Sequence, residues 1–261
     1  MNKTLLFGLL CFCIIGAAFL GGCSSNSSSG PTGPVAITAN LFPVVGFHTY
    51  IYTGYLIDTS GNAVPDTGHV YRSIWTVLLG LAPIPPIASG DTVFFVHDST
   101  IFATPGGPMA TANILPLDKS PTENYSLLET LDAFFGSTGV NPAGHKDTIW
   151  VPIVKATAGL GGSWTAWDST YLNVLGSHVR LQILGTVGAS AVTITDSSGA
   201  HATHQCYVFR TTRKITIDGT VVSAAETAEF WLEAGVGPIQ ARIDPQPGSG
   251  GSFNVLVQKT F

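Results

Sequence analysis

Charge is scarce in this sequence. Acidic and basic residues together make up 10% of the chain, well under half of the roughly 25% usual in soluble domains. Much of the surface must therefore be Ser, Thr, Gly and Asn. The eleven Lys and Arg are scattered, and only Arg210, Arg213 and Lys214 lie close together. Nucleic-acid binding needs clustered cations that displace counterions and is not supported. The three read as the solvated face of a hairpin.

Cysteine is equally sparse. Of four, Cys11 and Cys13 fall in an apolar leader, and Cys23 and Cys206 remain. With Cys23 modified as argued below, Cys206 has no partner in the chain, so disulfides do not hold the domain together. Long helices are disfavoured too, because 30 Gly and 16 Pro suit short strands and many turns. The mean hydropathy is positive, 45% of residues are hydrophobic, and 261 residues, or 239 without the first 22, can bury a sizeable core.

What is present is concentrated at the start. Lys3 supplies a basic beginning, and Leu5 to Phe19 form fifteen residues without charge. That run is short of the roughly 20 residues a spanning helix needs, and it suits a signal-peptide core. It ends in Leu20-Gly21-Gly22-Cys23, which resembles the lipobox of bacterial lipoproteins. A thiol can take a diacylglyceryl group as a thioether, and small residues before it let the peptidase reach the backbone. Residues 1-22 are therefore expected to be a signal peptide, with Cys23 the lipid attachment residue. Two or three acyl chains hold far more tightly than one, so the anchor is permanent. Ser24 stands where Asp would retain some lipoproteins at an inner membrane, which favours an outer membrane where one exists. The expected location is a cell membrane or outer membrane, facing periplasm or exterior.

Ser24 to Pro34 (SSNSSSGPTGP) has no large apolar residue and reads as a flexible tether spanning roughly 20 Å. Together, 23-34 form lipidated cysteine and tether, and 35-261 a β-rich domain. Strand signals are frequent in it: Phe47 to Ile57, His69 to Leu79, Thr92 to His97, Trp150 to Lys155, Tyr171 to Leu175, His178 to Leu184, Ala191 to Thr195, His201 to Arg210, Lys214 to Ile217, Thr227 to Leu232, Pro238 to Ile243 and Phe253 to Lys259. The second and third make a wide hairpin across the prolines between them, although Val70, Ile74, Val77 and Leu81 also fit a helix. Asp196-Ser197-Ser198-Gly199 and Asp218-Gly219 are turn sequences. One short amphipathic helix is expected from Ser120-Pro121-Thr122-Glu123, a capping box, to Gly136, burying Leu127, Leu128, Leu131, Phe134 and Phe135. The fold class is mainly β, a twisted antiparallel meander forming a half-barrel or a sandwich.

Candidate chemistry is thin. His201, His204 and Cys206 are the sharpest metal candidates, but strand alternation puts His201 on the face opposite the other two, and two ligands do not make a structural zinc site. No G-x-S-x-G elbow occurs, and Ser163 lacks a strand-turn-helix setting. Glu226, Glu229 and Glu233 could pair as acid and base, yet they also read as a strand rim with Phe230 and Leu232 inward. Trp150, Trp164, Trp167 and Trp231 read as core ahead of a ligand groove. The runs HDST (97 to 100) and WDST (167 to 170) are too short to establish a duplication. No catalytic, metal or cofactor residue is assigned.

Three phrases, LFPVVGFHTYIYTG (41 to 54), GGSWTAWDSTY (161 to 171) and AEFWLEAGVGPIQARI (228 to 243), together resemble a group of bacterial envelope lipoproteins that includes TapB-like ones. His48-Thr49 departs from the tryptophan often found there. The resemblance implies a twisted antiparallel sheet, as in the half-barrels of lipoprotein carriers, without established catalytic residues. Gly235 and Gly237 permit a turn or bulge where a Cβ would resist it. The functional expectation is a membrane-tethered, non-enzymatic β domain that takes an apolar or protein ligand in the envelope. The alternatives are an envelope hydrolase and a structural or adhesive surface component.

Overall fold

A computed structural model describes residues 35–43, 48–64, 72–78, 88–104, 107–130, 148–173, 175–195, 198–245 and 251–260. The leader, Cys23 and the tether lie outside the described residues. So do Leu131, Phe134, Phe135 and Gly136 of the expected helix.

The strands are β1 (Thr49–Ile57), β2 (Arg72–Leu78), β3 (Thr92–Thr104), β4 (Gly107–Lys119), β5 (Asn124–Thr130), β6 (Thr148–Lys155), β7 (Ser163–Leu172), β8 (His178–Thr195), β9 (His201–Ile217), β10 (Thr220–Glu233), β11 (Gly237–Ile243) and β12 (Gly251–Thr260). They form one antiparallel sheet in the order β6-β5-β4-β3-β2-β1-β12-β11-β10-β9-β8-β7. Consecutive strands pair except β6 and β7, and β1 pairs with β12, so the break in this nearly closed barrel falls mid-chain, between β6 and β7. A 3-10 turn at Ala156–Ala158 carries the chain across that seam. There the Trp164 indole N–H of β7 donates to the Pro152 carbonyl of β6 at 3.0 Å.

Alternation explains why these residues make strands. In β8, Val179, Leu181 and Ile183 are buried at 0–1% exposure while Arg180, Gln182 and Leu184 face outward. In β9, Phe209 and Ile215 lie inward, and burial of each such side chain contributes about 1.5–3 kcal/mol. The inward rows are mainly apolar and the outward rows carry Asp168, Arg180, Arg210 and Arg242, the inverse of the apolar-out pattern of a membrane-spanning barrel. The same alternation corrects one expectation: Arg213 is not on a solvated face but only 2% exposed inside. Burial lowers its pKa, and one of its N–H groups donates to Ser223 Oγ.

The helix expected after Ser120 is replaced by the β4–β5 hairpin. Ser120 N–H donates to Asn124 O at 2.9 Å, and Glu123 N–H to Ser120 O at 3.1 Å. Asn124 N–H donates to Ser120 Oγ, also at 3.1 Å, with Glu123 at a φ of 58°. A serine hydroxyl accepting from a backbone N–H a few residues on serves a turn as well as a helix cap, so the local signal fits both. Pairing along β6 then fixes Asn124–Thr130 as strand.

Most other strand expectations hold with changed lengths, but the segment read at 171–175 does not: Tyr171 and Leu172 end β7, and Asn173 begins a turn in which Gly176 N–H donates to Asn173 O at 3.0 Å. The two segments read at 178–184 and 191–195 are one strand, as are those at 201–210 and 214–217. The helical alternative for the run from His69 is not adopted at Arg72–Leu78, which pairs with β3. Asp218 (φ 45°) and Gly219 (φ 84°) form the turn between β9 and β10. Gly237 has a φ of 104°, and a Cβ there would meet Tyr50 Oη at 3.0 Å.

Residues 35–43 close one end of the barrel. Ile37, Leu41 and Phe42 belong to the buried core. Ile37 N–H donates to Ala156 O at 2.9 Å, and Gly235 N–H to Asn40 O at 2.7 Å. Lys119 Nζ donates to Phe42 O, and the Tyr125 hydroxyl both accepts from Phe42 N–H and lies against Glu123.

Candidate functional site

Among the paired strands, the shortest pairing is between β4 and β5. Their pairing is limited to Leu117↔Leu127, Asp118↔Ser126 and Lys119↔Tyr125, whereas β3 and β4 pair along all 13 residues of β3. Beside this short pairing, the interior holds a cavity of about 120 Å³. Val96, Leu115, Leu117, Leu127 and Ile153 give it apolar walls, and Phe42 with Tyr125 lines it from the plugged end.

Polar groups also reach the cavity. Trp75 of β2, Asp98 of β3, and Ser252 and Asn254 of β12 line it. Trp75 and Asp98 are register partners, and the Trp75 ring lies 4.8 Å from the Tyr52 ring. Asn254 is 4% exposed. Its Oδ1 and the Trp75 Nε1 are buried with no hydrogen-bond partner among the described residues, and an unmet buried polar group costs about 1–3 kcal/mol. Tyr52, by contrast, donates its hydroxyl to Pro238 O at 3.1 Å. An apolar space with a few convergent polar atoms is the usual form of a small-ligand site.

The candidate metal and acid–base residues singled out from sequence lie elsewhere, whereas Phe230 and Leu232, read as inward, line the cavity. His201 is exposed against Thr195 Oγ1 at 2.9 Å, while His204 Nδ1 is 2.6 Å from Glu233 Oε2. Among the described residues no group of three His, Cys, Asp or Glu side chains is placed to hold a metal. Cys206 is buried and without a disulfide. Burial, and then the Glu233 charge, push its thiol up to about 12, which leaves it a poor nucleophile. Glu229 pairs with Arg210 and Glu233 with His204, so these two do not act on one another. Phe230 and Leu232 are inward, at 7% and 3% exposure. Ser163 begins β7 opposite Thr186.

Trp164 is buried in the core. Trp167 donates to Tyr171 Oη at 3.2 Å, and Trp231 lies on the outer face with Arg210 and Val208. The tryptophan at the cavity is Trp75, which the sequence phrases did not mark. The two short repeats part company as well: Asp98 lines the cavity, while Asp168 accepts outside from Arg180 Nη2 at 2.6 Å.

One carboxyl pair stands apart from these. Asp118 is 9% exposed, and burial, with the Asp91 carboxyl beside it, pushes it up to about 6. It lies next to the β4–β5 turn and, unlike its neighbour Leu117, does not line the cavity.

No family model matches the sequence, and no curated protein does. Solved structures similar to this chain include one described as an exported protein with a YmcC-like fold from Bacteroides fragilis NCTC 9343. It is 11% identical with a TM-score of 0.38, covering 85% of this chain and 100% of that one. One described as a lipoprotein, from Parabacteroides distasonis ATCC 8503, is 12% identical with a TM-score of 0.39, covering 85% and 99%. The lipoprotein YmcC from Escherichia coli K12 is 12% identical with a TM-score of 0.30, covering 83% and 86%. Superpositions this loose transfer neither ligand nor activity.

Proposed function

We propose that this chain is a bacterial lipoprotein, cut before Cys23 and anchored by lipid on that residue, whose β domain binds a small apolar ligand at its membrane. The observation that carries the anchor is the Leu20-Gly21-Gly22-Cys23 box in register behind a basic start and an uncharged run. The resemblance to TapB-like envelope lipoproteins points the same way. The interior cavity supports ligand binding, and its volume of about 120 Å³ is near that of the engineered 150 Å³ cavity that takes benzene. It suits one ring or a short aliphatic tail. The domain is read as a binder, not a hydrolase, because the candidate serine, histidines and glutamates are dispersed.

The test is the anchor itself. Cys23→Ser leaves an oxygen nucleophile that lipid transfer does not use, so the acyl mass should disappear and any copy freed of its leader should become soluble. Wild-type protein should enter detergent and stay with membranes through high salt, which screens charges but leaves acyl burial intact. Soluble wild-type protein with an unmodified Cys23 would refute the proposal.

A further inference from the structure

We infer that the cavity selects a ligand whose polar end is a neutral hydroxyl or amide, held by Asn254 and Trp75, and discriminates against carboxylates. This rests on the reading of the cavity as a ligand site. Asn254 Oδ1 is an acceptor and Trp75 Nε1–H a donor, both buried and both without a hydrogen-bond partner among the described residues. A hydroxyl or primary amide carries both a donor and an acceptor, the two functions that these groups lack. Turning the Asn254 amide sets two donors in place of one donor and one acceptor, and a hydroxyl oxygen accepts from both.

The two groups reach the cavity from opposite sides of β1. Trp75 is registered on Tyr50 through the β1–β2 ladder, and Asn254 on Gly54 through the β1–β12 ladder. Among the described residues no Lys, Arg or His lines the cavity. A carboxylate would therefore enter apolar space without a cation to meet it, at a cost far above that of a neutral group. Leu115, Leu117, Leu127 and Ile153 remain to receive the apolar tail.

The experiment uses the full lipidated chain held in amphipol, titrated with 1-hexanol, hexylamine and hexanoate and read by tryptophan emission. Trp75→Phe establishes how much of the signal arises at the cavity. We expect saturable binding of hexanol, with hexanoate weaker by about tenfold or more. Asn254→Leu should weaken hexanol by about tenfold. Hexanoate binding as tightly as hexanol overturns the head-group inference and leaves the cavity reading intact. Hexylamine binding more tightly than hexanol assigns the head group to Asp98 and also overturns it. Hexanol affinity unchanged in Asn254→Leu removes that residue's role and the inference with it. Saturable binding of none of the three overturns the cavity reading itself.

Discussion

Across β7–β10 the strands are held by long ladders, and outward charges meet partners there and at β11, although β11 and β12 pair at only four registers. β9 pairs with β8 along all 17 of its residues, and the row Arg210, Glu229, Arg242 continues through consecutive registers of β9, β10 and β11. Glu229, 6% exposed, pairs with Arg210, and Arg242 Nε donates to Asp244 Oδ1 at 2.8 Å. In β1–β6 the pairing dwindles to three registers at β4–β5, and the cavity beside it is lined from β10–β12 as well, with Trp75 Nε1 of β2 and Asn254 Oδ1 of β12 lacking hydrogen-bond partners among the described residues. Asp118, in the same half, is a buried carboxyl beside another acid. The difference teaches where stability has been secured and where it has been given up, and relinquished stability is a common mark of a binding region.

The largest expected effect breaks the ordered half. Glu229→Gln leaves Arg210 and Arg242 facing an uncharged amide, and removing one member of a buried pair costs 3–5 kcal/mol when both are enclosed. Arg210 is half exposed, so the expected loss is about 2–3 kcal/mol. Chemical denaturation measures it, and a loss indistinguishable from that of a surface substitution would dissolve the contrast between the halves.

The next effect has the opposite sign and lies in the other half. Because the Asp118 carboxyl is pushed up to about 6 in the fold against an ordinary value near 3.9, the native state holds the proton more firmly than the unfolded state does. Its penalty is absent below about pH 4, grows as pH rises through about 6, and is complete above that. Asp118→Asn should therefore gain about 1–3 kcal/mol at pH 7 and little at pH 4. Denaturation midpoints of both forms across pH 4–7 check this; parallel curves would show that Asp118 carries no such strain.

The two halves were also unequally legible in the sequence. β8 and β9 are visible as alternating apolar runs, but Gly185, Gly188, Ala189 and Ser190 interrupt the pattern in β8, so one long strand reads as two. At Ser120 the chemistry of a tight turn imitates a helix start, and only pairing along β6, some 25 residues downstream, decides between them. Of the cavity, the inward Phe230 and Leu232 were legible, but its polar lining was not. Trp75, Asp98 and Asn254 are isolated in sequence and meet because β1 pairs with β12, a closure that no local pattern announces. Gly235 and Gly237 were readable because a turn and a close approach need glycine there whatever the partners.

A smaller effect follows at the cavity. Asn254→Leu replaces a buried acceptor lacking a partner with an apolar group beside free space, so the domain should hold its stability or gain up to about 1 kcal/mol, while hexanol binding weakens. Such a gain with a loss of binding is expected of a site that gives up stability for function. A loss above about 2 kcal/mol would mean that the amide is structural.

The smallest equilibrium effect is expected at Cys206, which lies in the ordered half just past the last β9–β10 pair, Leu232↔Tyr207. Its backbone is registered on Ser190 of β8, and its side chain is 4% exposed. Cys206→Val retains most of the volume and should change stability by less than about 1 kcal/mol. The more informative measurement is the rate at which a thiol reagent modifies the wild-type residue. With the thiol pushed up to about 12, little thiolate is present in the fold at neutral pH, so modification must wait for opening. If β8 and β9 open only with the whole ordered half, Glu229→Gln should speed labelling by the same factor by which it lowers the folding equilibrium constant. If this end of the hairpin opens alone, labelling should ignore Glu229→Gln, and the ordered half would then contain a locally unstable end. Rapid labelling of native wild-type protein would show that the thiol is accessible and that its burial does not protect it.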